Sequence, residues 1–485
     1  MAGRSSRAVD PEKGPERAML KQLAMDRLQG FLAALPPGMA LKLAKAVEFD
    51  WVIGGNALPH DLILTALRPA LREAGAGRTP TPCRLFCRTF DDLLVSTPSK
   101  EKRKGRIARS AIAPVWTWLT ESLIPDEATA YGVRLREAVL GWQLEDAEAC
   151  AAEFRATAAK TLRAALASPS ERKALLQIAN GAPVLEDADE IAILLDAGDA
   201  IVQVQNVVPR YCPGLSEERL LALRTIYDQL VQTVPDAVPY VAVVAMKRLE
   251  RPWEALRLPL MIARQSQDTL ISSTDMGLVG ETLLADLDSC AMAIRSVRQP
   301  QFDAATLVEN LKRFALISAG IVKEVEMRRD GRWGKRLMGD RAAVAEIMES
   351  MMRRAPREIL AALPTLKIGS YAGGPKMPDV SHAPDGEKSS RARSYAALLA
   401  GCRPVAPTAA FGAALSDADN EITTALTRYC DDLVAELRAA EGERLANAVG
   451  YLSVAIDLAT ILFSAEEAEF LRRRGRAATG VQAAA

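Results

Sequence analysis

Histidine is nearly missing. The 485-residue chain has two, His60 and His382, which removes most metal and general-base chemistry at the outset. An HD-type phosphohydrolase gathers several histidines and aspartates on one metal, and His60-Asp61 supplies only the dipeptide. A helical di-iron site repeats Glu-x-x-His, but position 57 is Ala. HExxH is absent, and no GxSxG elbow offers a nucleophile to a relay through His60. His60 reads instead as a polar residue at a helix N-terminus. Phosphate-binding loops are missing too. There is no GxxxxGK(S/T), no GxGxxG follows a strand, and Gly334-Lys335 lacks the upstream glycine and the following hydroxyl. Asp286-Leu-Asp288 has the spacing that opens a haloacid-dehalogenase motif, yet it lies in a helical context where that chemistry needs a strand end.

Net charge is absent as well. Acids and bases number 61 each, so no global field draws the chain to nucleic acid or an anionic membrane. Any such partner has to be met by a local patch. The first residues, MAGRSSRAVDPEKGPE, carry no apolar segment, so no secretory signal is expected and the protein is placed in the cytoplasm. Seven scattered cysteines do not suggest a disulfide framework, and reduced thiols are expected. Cys83 and Cys87, four apart, share a helix face. That spacing suits a metal or a labile redox pair, with His60 as a conceivable third ligand. Structural zinc wants Cys-x2-Cys and a second pair, and neither occurs; Leu85, Phe86 and Phe90 indicate an apolar seam. No cofactor and no metal are expected.

What is present is helix. Hydrophobic residues make up 49% and charged residues 25%, an ordinary globular balance, while aromatics are only 5%. Ala, Leu, Arg and Glu are abundant, and these favour helices over strands. The stretch Ser216 to Gln265 shows the design. Leu220, Leu223, Tyr227, Leu230 and Val234 form one helical stripe. Corners at Val234-Pro235-Asp236 and Glu250-Arg251-Pro252-Trp253 separate it from the apolar runs Tyr240–Met246 and Leu256–Ala263. Val241, Val243 and Val244 would suit a strand, but no second strand lies nearby to pair with it. The expected fold is all-α: a multi-helix array or bundle of neighbour-stacked antiparallel helices, with a C-terminal helical unit. No fixed repeat length is found, and the tetratricopeptide pattern is not matched.

Punctuation sets the domains. Residues 1–14 are expected to be disordered and 15–365 to form the helical body. Residues 366–390, rich in Gly, Pro, Ser and Asp, read as a linker, and 391–485 as a C-terminal helical region with a disordered tail. Ser168-Pro169-Ser170-Glu171 has the form of a capping box with Gly181 as its stop. Asp303 is placed to cap a helix carrying Leu307, Leu311, Phe314, Ile317 and Ile321 on one side. Ile422, Leu426, Tyr429, Leu433 and Leu437 form a second clean stripe. Leu445–Phe463 approaches a membrane span in length, but Asn447 and Asp457 sit inside it, so a buried bundle helix is expected.

Two basic stretches are the candidate sites. Lys100, Lys102, Arg103, Lys104, Arg106 and Arg109 are offset only by Glu101 and lie beside Trp116 and Trp118. Arg328, Arg329, Arg332, Lys335 and Arg336 surround Trp333, with glycines at 331, 334 and 339 suggesting a mobile loop. Cations pair with phosphates and an aromatic face stacks on a base, so each stretch is a candidate site for nucleic acid or another polyanion. The competing reading is a solvated loop and a helix end, with the charges answered by the acidic segment 186–199. The functional expectation is a cytoplasmic, non-catalytic scaffold or adaptor for protein partners. Its alternatives are polyanion binding through the two stretches, and an all-α enzyme using Asp, Glu, Arg or Tyr.

Overall fold

A computed structural model describes residues 27–52, 59–74, 80–96, 102–141, 143–180, 184–264, 272, 274–297, 302–367, 376–406 and 410–479. The described residues are all-α and 80% helical. The N-terminal 1–14 and the extreme C-terminal tail lie outside the described residues. Two compact units divide it: Met1–Asn206 with Asp228–Ala237, and Val207–Tyr227 with Val238–Ala485. That division falls elsewhere than at 366–390.

In the first unit, residues 27–33 form α1, followed by α2 (Pro37–Val52) and α3 (His60–Ala74). These share a small core of Leu32, Ala40, Ala44, Val47, Ile63 and Leu67. His60 opens α3, and its Nε2 lies 2.8 Å from Asp50 Oδ2, the helix-end role expected of it. A larger group comprises α4 (Pro82–Cys87), α5 (Ile112–Thr117), α6 (Pro125–Leu140), α7 (Leu144–Ala167), α8 (Pro169–Ile178), α9 (Leu185–Asp196) and α10 (Gly198–Val207). Helix α7 is its centre, packing on α4, α6, α8 and α9. Phe154 of α7 stacks on Tyr131 at 4.3 Å and meets Phe86 at 6.3 Å, forming an aromatic seam. Arg84 joins α4 to α2 through a two-pronged pair with Glu48, at 2.5 and 2.8 Å. Strands β1 (Leu94–Val95) and β2 (Ile107–Ala108) make a two-residue parallel pair, Leu94 opposite Ile107.

The capping box expected at Ser168 does not form. Ser168 makes no side-chain cap, and its hydroxyl instead meets Ser170 Oγ at 2.9 Å. The residue is shared, ending α7 as it starts α8, and its N–H goes back to the Ala165 carbonyl. Gly181 lies outside the described residues; Asn180 takes the left-handed turn after α8, with φ +51°.

The central stretch folds as its corners dictate. Helices α11 (Glu217–Thr233), α12 (Val238–Arg248) and α13 (Arg257–Ala263) are joined by 3-10 turns at Pro235–Ala237 and Pro252–Leu256. Residues Val238 to Met246 are all buried in α12, which settles the strand-or-helix question in favour of helix. Residues of α11 up to Tyr227 belong to the second unit and the rest to the first.

The second unit continues with α14 (Leu278–Arg295), α15 (Ala304–Glu324), α16 (Arg332–Leu360), α17 (Gly386–Cys402), α18 (Gly412–Ala439), α19 (Gly442–Leu462) and α20 (Ala465–Ala478). Helix α14 packs on α15 and α16, and α16 on α17 and α18. Asp303 caps α15 by accepting from the Ala305 and Thr306 amides, and the predicted stripes of α15 and α18 are buried. Where the linker 366–390 is expected, β3 (Thr365–Lys367), starting one residue before it, pairs antiparallel with β4 (Lys376–Pro378), and α17 already begins at Gly386. Helix α19 is long and apolar enough to cross a membrane, and half of its apolar window is buried against neighbours. Asn447 inside it donates to the Val380 carbonyl at 3.2 Å, and Asp457 pairs with Arg393. A true capping box occurs at Ser464 and Glu467 instead.

Candidate functional site

The first basic stretch is a loop held down by α9. Lys102 Nζ donates to Glu190 Oε2 at 2.5 Å, to the Arg106 carbonyl at 2.6 Å, and to Asp187. The same two carboxylates take backbone amides, Glu190 from Gly105 at 2.5 Å and Asp187 from Ala108 at 3.3 Å. Both are nearly buried, 5% exposed at Asp187 and 4% at Glu190. They sit three apart near the N-terminus of α9, on one face and at the helix end that favours negative charge. Gly105 turns the loop with φ +78°, a conformation that side chains resist. Arg106 and Arg109 are half-buried, Arg103 and Lys104 are exposed, and Lys100 lies outside the described residues. Trp118 is fully buried, and Trp116 packs on Phe86 at 5.0 Å within the aromatic seam.

The second stretch is a turn followed by the first two turns of α16. Gly331 is the helix N-cap, and Gly334 and Gly339 lie within the helix, so the glycines do not mark a mobile loop. A Cβ at Gly334 would stand 2.0 Å from the Arg328 carbonyl oxygen, so the glycine is needed for the turn to lie against the helix. Cations at a helix N-terminus oppose its dipole. Here α14 answers them. Glu281 pairs with Arg332 at 2.5 Å and Arg336 at 3.1 Å and accepts Trp333 Nε1–H at 2.6 Å; Arg336 also pairs with Asp288. Trp333 is 1% exposed, leaving no face for a base. Arg328 pairs with Asp330 at 2.9 Å on the surface, and Arg329 and Lys335 are exposed.

Glu281, Asp288 and Asp340 were not legible as a group. Glu281 and Asp288 are seven apart on α14, opposite Arg332 and Arg336, four apart on α16, and that spacing was the available signal. Asp340 lies behind them, pairing with Arg295 at 2.9 Å. Burial, then the hydrogen bond and charge of Asp288, hold the Asp340 carboxyl above its ordinary value despite Arg295. The native state therefore binds this proton more tightly than the unfolded chain. Its contribution to stability falls as pH rises from the unfolded carboxyl value of 3.8 through the raised native one. Asp340→Asn stays neutral throughout. In urea denaturation its stability relative to wild type should improve between about pH 4 and pH 7, by less than about 1 kcal/mol. A gap that moves the other way with pH would overturn the raised Asp340 carboxyl.

Asp286 of the Asp-Leu-Asp motif sits on α14 and pairs with Lys247 at 2.9 Å, a helix-to-helix contact. A groove of about 230 Å³ between α16 and α18 is lined in part by Glu349, Asp417 and Glu421. Glu349 is paired with Arg353, and Asp417 and Glu421 are exposed, so these carboxylates are not desolvated for chemistry. Among the described residues no three His, Cys, Asp or Glu side chains converge as a metal site would require. Comparison with known protein families, curated proteins and solved structures finds no match. What the fold and these sites define is a class: an all-α protein whose basic stretches are anchored by its own acidic helices.

Proposed function

We propose that the protein is a non-catalytic helical scaffold or adaptor, working in the cytoplasm by binding a partner protein. The observation that supports this is the outer side of α1 and α2. Phe31 is 64% exposed, Met39 58% and Phe49 43%. At about 100° per residue, Met39, Ala46 and Phe49 span an arc of about 80° on α2, with half-buried Leu43 turning back toward the core beside it. Ala40, Ala44, Val47 and Glu48 on the other side are buried. The exposed charges along α1 and α2 are Arg27, Lys42 and Lys45, while Glu48 is buried against Arg84 and Asp50 bonds His60. Aromatic and Met side chains are enriched at interface cores, and the exposed cations Lys42, within the face, and Lys45, at its edge, suit an acidic partner. The occupant expected is an amphipathic protein segment with acidic flanks.

Cross-linking of the full chain in extract of its source cell, read by mass spectrometry, is the test. Cross-links from Lys42 and Lys45 to one partner with an acidic amphipathic segment are expected, with affinity falling at least about tenfold in Phe31→Asp/Met39→Asp. Circular dichroism should show that this variant keeps its fold. A partner held equally well by the variant overturns the reading. So does co-sedimentation with anionic vesicles, or binding to generic RNA, that the same substitutions abolish while no protein is cross-linked.

A further inference from the structure

All seven cysteines are free thiols; six are buried and Cys83 is half-buried. Two of them touch. Cys83 and Cys87 lie on α4 with their Sγ atoms 4.0 Å apart. Four residues along a helix separate Cα atoms by about 6 Å, within the span of about 4.4–6.8 Å that a disulfide bridges. The helix is six residues long, starts under the Thr81 cap and ends at Cys87, so closing the pair distorts only this short element.

We propose that Cys83 and Cys87 are a peroxide-responsive dithiol that closes to a disulfide within α4. Their environments assign the roles. The hydrogen bond from Cys87 outweighs burial at Cys83, and the Arg84 charge adds to it, so the Cys83 thiol lies below its ordinary value. The Cys83 hydrogen bond and then burial push Cys87 up. Burial is the leading cause at Cys150, Cys290, Cys402 and Cys430, pushing the last two up to about 12. The accessible thiol with the most thiolate character is thus Cys83, and its neighbour is the resolving group.

The chemistry balances without a cofactor. The Cys83 thiolate attacks one oxygen of a hydroperoxide; the S–O bond forms, the O–O bond breaks, and the departing oxygen leaves as water or alcohol after taking a proton. Cys87 sulfur then attacks the sulfenic sulfur. The S–S bond forms, the S–O bond breaks, and hydroxide leaves with the Cys87 proton as water. Two electrons pass from the thiols to the peroxide, and an external dithiol returns them by exchange. Arg84, paired with Glu48 of α2, and Leu85, whose carbonyl accepts from Arg155 at 3.0 Å, both lie between the two cysteines in sequence. Closure therefore acts on the contacts that tie α4 to α2 and α7.

The full-length protein is treated with hydrogen peroxide, alkylated and mapped by tryptic peptide mass. Cleavage after Arg84 separates the sulfurs, so a disulfide joins peptide 79–84 to peptide 85–88. That linked pair is expected, forming at least about tenfold faster than any oxidation of Cys402 or Cys430. It should disappear on adding dithiothreitol. In Cys87→Ser the reaction stops at a sulfenic acid on Cys83, trapped by dimedone; in Cys83→Ser no label appears at position 87. The wild-type time course stands alone if a variant fails to fold. Separately alkylated peptides 79–84 and 85–88 after peroxide, or earlier oxidation of any other cysteine, overturn the proposal.

Discussion

Glu190→Ala is expected to destabilise the first unit by about 3–5 kcal/mol, the scale for breaking a buried charge pair from one side. The carboxylate holds Lys102 at 2.5 Å and the Gly105 amide at 2.5 Å, and it is 4% exposed. Its removal leaves the ammonium to Asp187 and the Arg106 carbonyl and strands a buried amide, which by itself costs about 1–3 kcal/mol. Glu190→Gln keeps an acceptor but loses the charge, so it should fall between. Lys104→Ala, on the exposed side of the same loop, should change stability by no more than about 0.5 kcal/mol. Urea denaturation followed by tryptophan emission ranks the three. A Glu190→Ala cost as small as that of Lys104→Ala would mean that α9 does not hold the loop.

Much of the architecture was readable because helices advertise themselves locally. The stripes of α15 and α18 and the Asp303 cap depend on residues within a few turns of one another. The same holds for the corners around α12, where a pattern compatible with a strand was decided by the lack of a pairing partner. Where the reading missed, one residue served two elements. Ser168 fits a capping box by spacing, but it also has to close α7, and its hydroxyl goes to Ser170. The hairpin of β3 and β4 was hidden because short, polar strands carry no alternation long enough to see.

The charged sites were legible by halves. Composition exposes a run of cations, and the acidic segment 186–199 was visible as a counterweight. Sequence cannot show that Lys102 meets Glu190 across 88 residues, or that Arg336 meets Asp288 across 48. Nor does it show that Trp333 turns inward, because a tryptophan among arginines has the same composition whether it faces a base or a core. Burial separates the two arrangements. An exposed ring can stack; one that is 1% exposed, with its N–H committed to Glu281, is a packing element.

That packing supplies the other large expected effect. Trp333→Ala should cost about 3–5 kcal/mol by leaving a cavity between α14 and α16. The indole lies over Gly280, where a Cβ would stand 2.1 Å from Cη2 and 2.3 Å from Cζ2. Gly280→Ala therefore forces the ring away from its site and from Glu281, an overpacking cost of about 1–3 kcal/mol. The two substitutions should not add. With the ring gone, the methyl has room, and alanine is favoured over glycine inside a helix by about 0.5–1 kcal/mol. In the Trp333→Ala background Gly280→Ala should therefore turn from destabilising to stabilising, a change of sign that general helix propensity cannot produce. Gly320 under Trp253, where a Cβ would lie 2.1 Å from Cδ2, is a second instance for the same cycle. Additive costs in denaturant melts of the two single variants and the double would show that the glycine is not there to seat the ring.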